Sequence, residues 1–575
     1  MLLDKEWTMK EKTVTAADII AGTLEKHGVK YVFGIPGGAI EPLNNALHKS
    51  TIKVIVAKHE EGAAFMADGY ARVSGEFGVC CSTAGPGATN MITGLASSFA
   101  DSIPVIALTG QVATSLFGKG AVQEFSVQSS GIVSIFKQIT KYSDIIINEK
   151  KAGEMISRAR RLALTGRKGP VHLNLPADIM KRPVSAVHER CSTTQVMGFD
   201  RGGVIEAAQL LLGAKRPVLV TGWGTVLSRA DAELQELAEL MDLPVATSPK
   251  AKGIMSESHP LSLGVLGFAG SPVSKEYIIK RDVDVMLAVG TSFNEWMTSG
   301  WDKRLHPMQS LIQIDIDCNE IGKNYFVDVG IAGDAKTVLR ELIYELHRQL
   351  KKQKDVGDDR RIEVHSIKES TAVKSRKLDG TPYKPQRLIT DLAASLPKET
   401  LYFVDNGNSM AWAIRHLNIT LPYSFFVGLG FASMGFAVAA PIGAKLAAGD
   451  RPVVALVGDG SFLMNGMEVA TAVNHNIPVI WVVMNNSMLG MVYHARKLAT
   501  IPEGIKSTFK PVDFVKLAEG LGARGIRITK PGEIHREMMD EIIASRVPTV
   551  LDVIIDPDEV PPIHSRITSL EKLYT

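Results

Sequence analysis

Between Val453 and Met488 the chain reads VVALVGDGSFLMNGMEVATAVNHNIPVIWVVMNNSM, and no other stretch constrains the fold as tightly. A β-branched apolar run ends in Gly458-Asp459-Gly460, a helix-length segment follows, and a second apolar run ends in Asn485-Asn486. Such a unit folds as two parallel strands joined by a right-handed crossover helix. Asp459 and Asn486, 27 positions apart, then lie side by side beyond the C-terminal ends of the strands. Open α/β sheets bind their ligands there. A helix opening at Ser461 offers free N–H groups to an anion, and the flanking Gly458 and Gly460 let the backbone come close to it. Asp and Asn supply oxygen ligands to a hard cation, and Mg²⁺ prefers to share its shell with phosphate oxygens. The stretch therefore predicts a phosphate-bearing ligand held through a divalent cation.

Strand-like and helix-like segments alternate almost throughout, which argues for α/β domains with parallel sheets. Residues 10–185 contain the strand candidates YVFGI, KVIVA, GVCCS, PVIALTG and PVHLNLP; residues 195–350 contain PVLVTG, VDVMLAVG and SLIQIDID; residues 385–558 contain LYFVDNG, PVVALVGDG, PVIWVVMNN and TVLDVIID. The charge-dense segment 351–384 reads as a surface linker with room for a helix. At 575 residues the length suits three or four domains. A net charge of +3 without a basic, aromatic-studded stripe argues against nucleic acid, and no apolar stretch is long enough to span a membrane. The start, MLLDKEWTMKEK, lacks the apolar core of a signal peptide, with Met9 a second possible start. Four cysteines make no disulfide framework, and the adjacent Cys80 and Cys81 read as small buried residues, so a cytoplasmic enzyme is expected.

The GDG turn with the second Asn of the NN pair resembles the signature of thiamine diphosphate enzymes. The resemblance then becomes specific. FGIPGGA (Phe33–Ala39), KHEEGAAFMADGYAR (Lys58–Arg72), STAGPGATN (Ser82–Asn90) and ALTGQV (Ala107–Val112) are similar to the pyrimidine-binding domain of the acetohydroxyacid (acetolactate) synthases. DNGNSMAW (Asp405–Trp412) and GFASMGFAVAAPIGA (Gly430–Ala444) resemble that family's diphosphate-binding domain, and IQIDIDCNEIGKN (Ile312–Asn324) its central one. The similarity runs over about residues 12–558 and implies three doubly wound parallel-sheet domains: pyrimidine-binding, central and diphosphate-binding.

It also implies a set of roles. Asp459, Asn486 and the main-chain carbonyl of Met488 hold Mg²⁺. Asn408, Ser409, Gly430, Ala432, Met434, Gly458, Gly460, Ser461, Leu489, Gly490 and Met491 surround the cofactor, with Met434 wedged between its rings. Glu60 shares a proton with the aminopyrimidine, and Gly37, Gly38 and Gln123 form the active-site loop and its glutamine. Taken by itself Glu60 is simply an acid in a helix's first turn, which complements the helix dipole. The implied reaction decarboxylates a 2-oxo acid such as pyruvate and joins the remaining unit to a second one, giving 2-acetolactate. A different carboligase or decarboxylase, and a pyruvate oxidase-like flavin enzyme, are the alternatives. A homodimer or homotetramer is implied, with room for a regulatory subunit.

The chain departs from the family pattern at several positions. Val122 stands where Phe is usual before the glutamine, and Ser409 and Met410 replace His and Gln. Ala495 replaces a Trp that helps select the second keto acid. Asn294-Glu295-Trp296 replaces the D-D-R of the FAD-using members, which leaves FAD open and leans against it.

Overall fold

The structure is a computed structural model describing residues 14–125, 131–184, 198–350, 359–371, 378–502 and 504–563. The chain forms two compact units, one of residues 1–71 and 76–194 and one of residues 72–75 and 195–575.

The first unit is built on six parallel strands: β1 (Tyr31–Gly34), β2 (Lys53–Val56), β3 (Gly78–Ser82), β4 (Val105–Gln111), β5 (Tyr142–Ile145) and β6 (Val171–Pro176), in the order β2-β1-β3-β4-β6-β5. The central strands β3, β4 and β6 are buried along their whole length, as sheets covered by helices on both faces require. Helix α1 (Glu60–Ser74) follows β2. Cys80 and Cys81 are free and buried in β3, where a side chain on Gly34 of β1 would strike the Cys81 carbonyl oxygen at 2.2 Å.

The second unit carries two further six-stranded parallel sheets. The central one contains β7 (Val218–Thr221), β8 (Val245–Thr247), β9 (Ser262–Val265), β10 (Val285–Val289), β11 (Ser310–Asp315) and β12 (Val329–Ala332), ordered β9-β8-β7-β10-β11-β12. Helix α2 (Pro272–Lys280) follows β9, and α3 (Asp359–Thr371) lies in the charge-dense segment. The last sheet contains β13 (Leu401–Val404), β14 (Phe425–Val427), β15 (Val453–Gly458), β16 (Ile480–Asn485), β17 (Arg524–Ile528) and β18 (Thr549–Ile554), ordered β14-β13-β15-β16-β18-β17. Its helices include α4 (Asn408–His416), α5 (Phe436–Ala448), α6 (Asp459–Asn465) and α7 (Gly490–Leu498). One apolar cluster joins Val265 and Phe268 of the central sheet region to Trp412, Ile414 and Ile419 of the last. The chains approach so closely there that a side chain on Gly253 would meet Ile419 Cγ2 at 2.1 Å.

Every strand expected from the sequence is present. The strand–helix–strand reading of 453–488 holds, with β15 and β16 parallel neighbours in the register Val457↔Val483 and Gly458↔Met484. The helix starts two residues earlier than expected, at Asp459 with Gly458 as its N-cap. Once β15 ends at Gly458 the chain turns directly into the helix, so Asp459 sits in its first turn. No helix among the described residues is long and apolar enough to cross a membrane.

Candidate active site

In the second unit the strand order reverses between β13 and β15, the position where an α/β sheet opens a crevice. A cavity of about 300 Å³ lies there. Asp459 is almost fully buried in its wall; Oδ1 accepts the N–H of Gly460 at 2.7 Å, and Oδ2 those of Asn486 and Ser487 at 3.0 and 2.6 Å. Ser487 takes a positive φ of 57°, which turns the chain so that consecutive amides face the carboxylate. Burial pushes the Asp459 carboxyl up to about 6 although all these N–H groups favour the anion. A buried carboxylate whose desolvation outweighs four backbone N–H groups is a natural counter-charge for a cation. Among the described residues no group of three or more His, Cys, Asp or Glu could hold a metal. Any cation here would complete its shell with amide, carbonyl and phosphate oxygens, as Mg²⁺ does.

The opposite wall begins at Asp405, buried behind β13, which accepts the N–H groups of Gly435 (3.0 Å) and Ala437 (2.7 Å) and so pins the start of α5. This anchors the preceding loop, in which Ala432 has φ 58° and Met434 faces the GDG turn: its methyl lies 3.7 Å from where a Gly460 side chain would begin. Asn406 donates to the carbonyls of Gly428 and Ser433, and Ser461 donates to the Asn406 carbonyl. Asn408 opens α4 and meets the buried His494 of α7, with Nδ2 and Nδ1 2.9 Å apart. The other ring nitrogen of His494 lies 3.0 Å from the Pro557 carbonyl.

Asn408, Ser409, Ala432, Met434, Gly458, Asp459, Gly460, Ser461, Asn486, Met488, Leu489, Gly490 and Met491 all line this one cavity. Gly430 is exposed and is not among the lining residues. The sequence reading gave no role to Asn406, Met484 and Ile555, which also line it, and gave none to His494. Trp296, at the departure from D-D-R, reaches the cavity from the central sheet region, seated edge-to-face on Phe268 at 4.9 Å, its carbonyl accepting the Phe268 N–H at 2.7 Å. Ala495 is buried beside the cavity without lining it.

In the first unit the strand order reverses between β1 and β3. Glu60 begins α1 there, 8 % exposed, with Oε2 accepting from Asn90 Nδ2 at 3.0 Å. The turn Thr83–Gly85 and the start of the short helix Pro86–Asn90 gather the other candidates. A side chain on Gly37 would strike Thr83 Cβ at 2.5 Å, one on Gly85 the Gln123 carbonyl at 2.7 Å, and one on Gly87 would lie 3.2 Å from Glu60 Oε1. Gly38 borders open space, and Gln123 is exposed with φ 62°. The structure thus groups Glu60, Gly37 and Gln123 around this one segment.

A Gly-rich turn, Gly222-Trp223-Gly224, follows β7 in the central sheet. The N–H groups of Gly222 and Gly224 are both given to the Val289 and Gly290 carbonyls at 2.9 Å, so neither is left for a phosphate. These glycines serve helix–strand packing.

Family models for thiamine pyrophosphate enzymes match in chain order: the N-terminal TPP binding domain over residues 14–130, the central domain over 204–342, and the C-terminal TPP binding domain over 405–553. A probable acetolactate synthase large subunit of Methanocaldococcus jannaschii is 39% identical, covering 95% of this chain and 93% of the relative. One from Methanococcus aeolicus is 37% identical over 96% and 94%, and the acetolactate synthase large subunit of Corynebacterium glutamicum 34% over 95% and 87%. With the fold, the motif order and near-complete coverage in agreement, this chain belongs to the acetolactate synthase large-subunit family of thiamine diphosphate enzymes.

Proposed function

We propose that the enzyme decarboxylates pyruvate and joins the two-carbon remainder to the carbonyl carbon of a second pyruvate, forming 2-acetolactate and CO₂. The observation that carries this reading is the buried Asp459 at the reversal point of the last sheet, beside Asn486 and in the wall of the cavity that gathers the GDG turn. Relatives that carry the acetolactate synthase name over nearly their full length support it over a pyruvate oxidase-like reading.

Asp459, Asn486 and the Met488 carbonyl would hold Mg²⁺, and the amides at the start of α6, with Asn408 and Ser409, the diphosphate. Thiamine diphosphate, when bound, accepts the electron pair released as CO₂ leaves and lends it to the new carbon–carbon bond. The chain's own work is to bind, orient and move protons. Glu60 would exchange a proton with the nitrogen base of the bound cofactor. Met434, backed by the GDG turn, would pack against the bound cofactor, and Trp296, Met491 and Val492, which line the same cavity, would help shield it from water. Gln123 and the Gly37-Gly38 loop orient the substrate. The reaction passes no electrons to an outside acceptor, so FAD has no redox part in it. The relatives' designation as large subunits supports a smaller regulatory companion, and a homodimer or homotetramer in the cytoplasm is the expected form.

The test is to incubate the purified chain with thiamine diphosphate, Mg²⁺ and pyruvate, without FAD, and to identify the products. Acetolactate is expected. Acetaldehyde alone, or turnover that requires FAD and an electron acceptor, would overturn the assignment.

A further inference from the structure

Away from the cofactor cavity, a second cleft of about 190 Å³ lies in the second unit, between the edge strand β9, the start of α2, helix α3 and the C-terminal end of α4. Its charged lining consists of Lys252, Glu257, Lys368, Arg415 and His416, with Ser271, the N-cap of α2, beside them. Lys252 is buried and already satisfied, its Nζ 2.6 and 2.7 Å from the two oxygens of Glu257. That pair cancels, and Lys368 and Arg415 remain. Lys368 donates to the His259 carbonyl at 3.0 Å and feels the Glu257 carboxylate only at longer range, without an ion pair among the described residues. Arg415 makes no hydrogen bond or ion pair among the described residues, and its Nε is wholly buried.

Basic residues at a helix C-terminus ordinarily complement the helix dipole from the surface. That accounts for Arg415 and His416 standing at the end of α4, but not for a guanidinium turned into a cleft with a donor left over. A buried donor without a partner is costly, and three cations sharing the one Glu257 carboxylate in a single cleft add to that cost. Burial lowers the Lys368 pKa, and it holds His416 down at about 4 with help from the Arg415 and Lys252 charges, so the imidazole stays neutral and leaves the balance at two positive charges.

We propose that this cleft is a binding site for a small dianion of the phosphate class, held by Arg415 and Lys368 with His416 and the Ser271 end of α2 completing the shell. A phosphoryl group carries close to two negative charges at neutral pH and matches the guanidinium fork. A monocarboxylate would neutralise only half the charge. The volume is below that of sites for drug-sized ligands, which suits inorganic phosphate or a short phosphate ester. Helix α4 links this cleft to the cofactor cavity, since Asn408 and Ser409 at its other end line the latter.

The test is calorimetric and reads binding rather than turnover, so its outcome is independent of the proposed reaction. The full chain is equilibrated with excess thiamine diphosphate and Mg²⁺, which keeps added anions out of the cofactor cavity. It is then titrated with inorganic phosphate, with glycerol phosphate, and with chloride at matched ionic strength. Saturable phosphate binding is expected, weakened at least about tenfold by Arg415→Gln and separately by Lys368→Gln, and partly kept by Arg415→Lys. Tighter binding of glycerol phosphate assigns the ligand as an ester, and equal or weaker binding as the free ion. Circular dichroism confirms that each variant is folded. Phosphate heats no larger than those of chloride, or affinities unchanged in both Gln variants, overturn the proposal.

Discussion

His494 sets the orientation of a side chain in the cofactor cavity, and replacing it should weaken cofactor binding without touching the reacting groups. The Pro557 carbonyl can only accept, so the ring nitrogen 3.0 Å from it, Nε2, carries the proton. Burial, partly offset by the Pro557 and Gly490 carbonyls, holds the pKa of His494 below the ordinary imidazole range, so the ring is neutral and Nδ1 accepts. Asn408 must then turn Nδ2 toward the ring, 2.9 Å away, which fixes where its Oδ1 and second N–H point. Oδ1 has no partner among the described residues, so the His494 bond is what holds this amide. In His494→Leu the Asn408 amide loses its acceptor in a buried setting, at a cost of about 1–3 kcal/mol. If that cost falls on the bound state, thiamine diphosphate binds about 5- to 150-fold more weakly. His494→Gln can accept from Asn408 through its oxygen and donate to Pro557 through its nitrogen, and should recover most of the affinity. Titration of tryptophan fluorescence with thiamine diphosphate at fixed Mg²⁺ reads the dissociation constant. A value within twofold of the parent for His494→Leu, or equal losses in the Leu and Gln variants, would refute the reasoning.

Glu60→Gln should keep the circular dichroism spectrum and lose roughly 10²–10⁴-fold in turnover, as removal of a proton-transferring group does; near-parent activity in a pyruvate assay would sink the assignment. Asp459→Ala should abolish the Mg²⁺ dependence of thiamine diphosphate binding in the same fluorescence titration. Trp296→Ala enlarges the cavity wall and should shift acceptor choice toward 2-oxobutanoate by several-fold, since one methylene in an apolar pocket is worth about 1–3 kcal/mol. Product ratios from mixed 2-oxo acids measure it, and an unchanged ratio would remove Trp296 from the acceptor's surroundings. In the first unit, burial holds His172 down at about 3, between Thr109 Oγ1 (2.7 Å) and Ser143 Oγ (2.8 Å). A depressed histidine pKa stabilises the fold fully above the unfolded value near 6.5 and progressively less as pH falls toward 3, by about 2 kcal/mol at pH 5. Thermal midpoints from pH 7.5 to 5 should therefore fall less steeply in His172→Gln than in the parent.

What the sequence made legible, and what it hid, follows from how each signal is written into a chain. Strands covered on both faces, such as β4 and β15, appear as continuous apolar runs because both faces must be apolar. Six strands of the three large sheets were not among those expected from the sequence: β5, β8, β9, β12, β14 and β17. All but β8 lie at a sheet edge. An edge strand has one side without a neighbour and is often short or partly solvated, as YSDI and RGIRI are, so its sequence need not be apolar. β8 is internal but only three residues long. The site divides in the same way. Asp459, Asn486 and the glycines between them were readable because one strand–turn–helix–strand unit carries them all, and local sequence fixes local geometry. Trp296 was not, because its place in the cavity depends on the packing of the central sheet region against the last one. Gly267 lets the chain close on the Trp296 segment: with φ 96°, it lies where any side chain would strike the Trp296 carbonyl at 2.3 Å. The Asn408–His494 pair was hidden for a related reason: its members are 86 positions apart, and either alone is an unremarkable helix residue. Substrate choice in this enzyme should therefore depend on residues like Trp296, which no local motif announces, while cofactor choice is fixed by the segment 453–488, which announces itself.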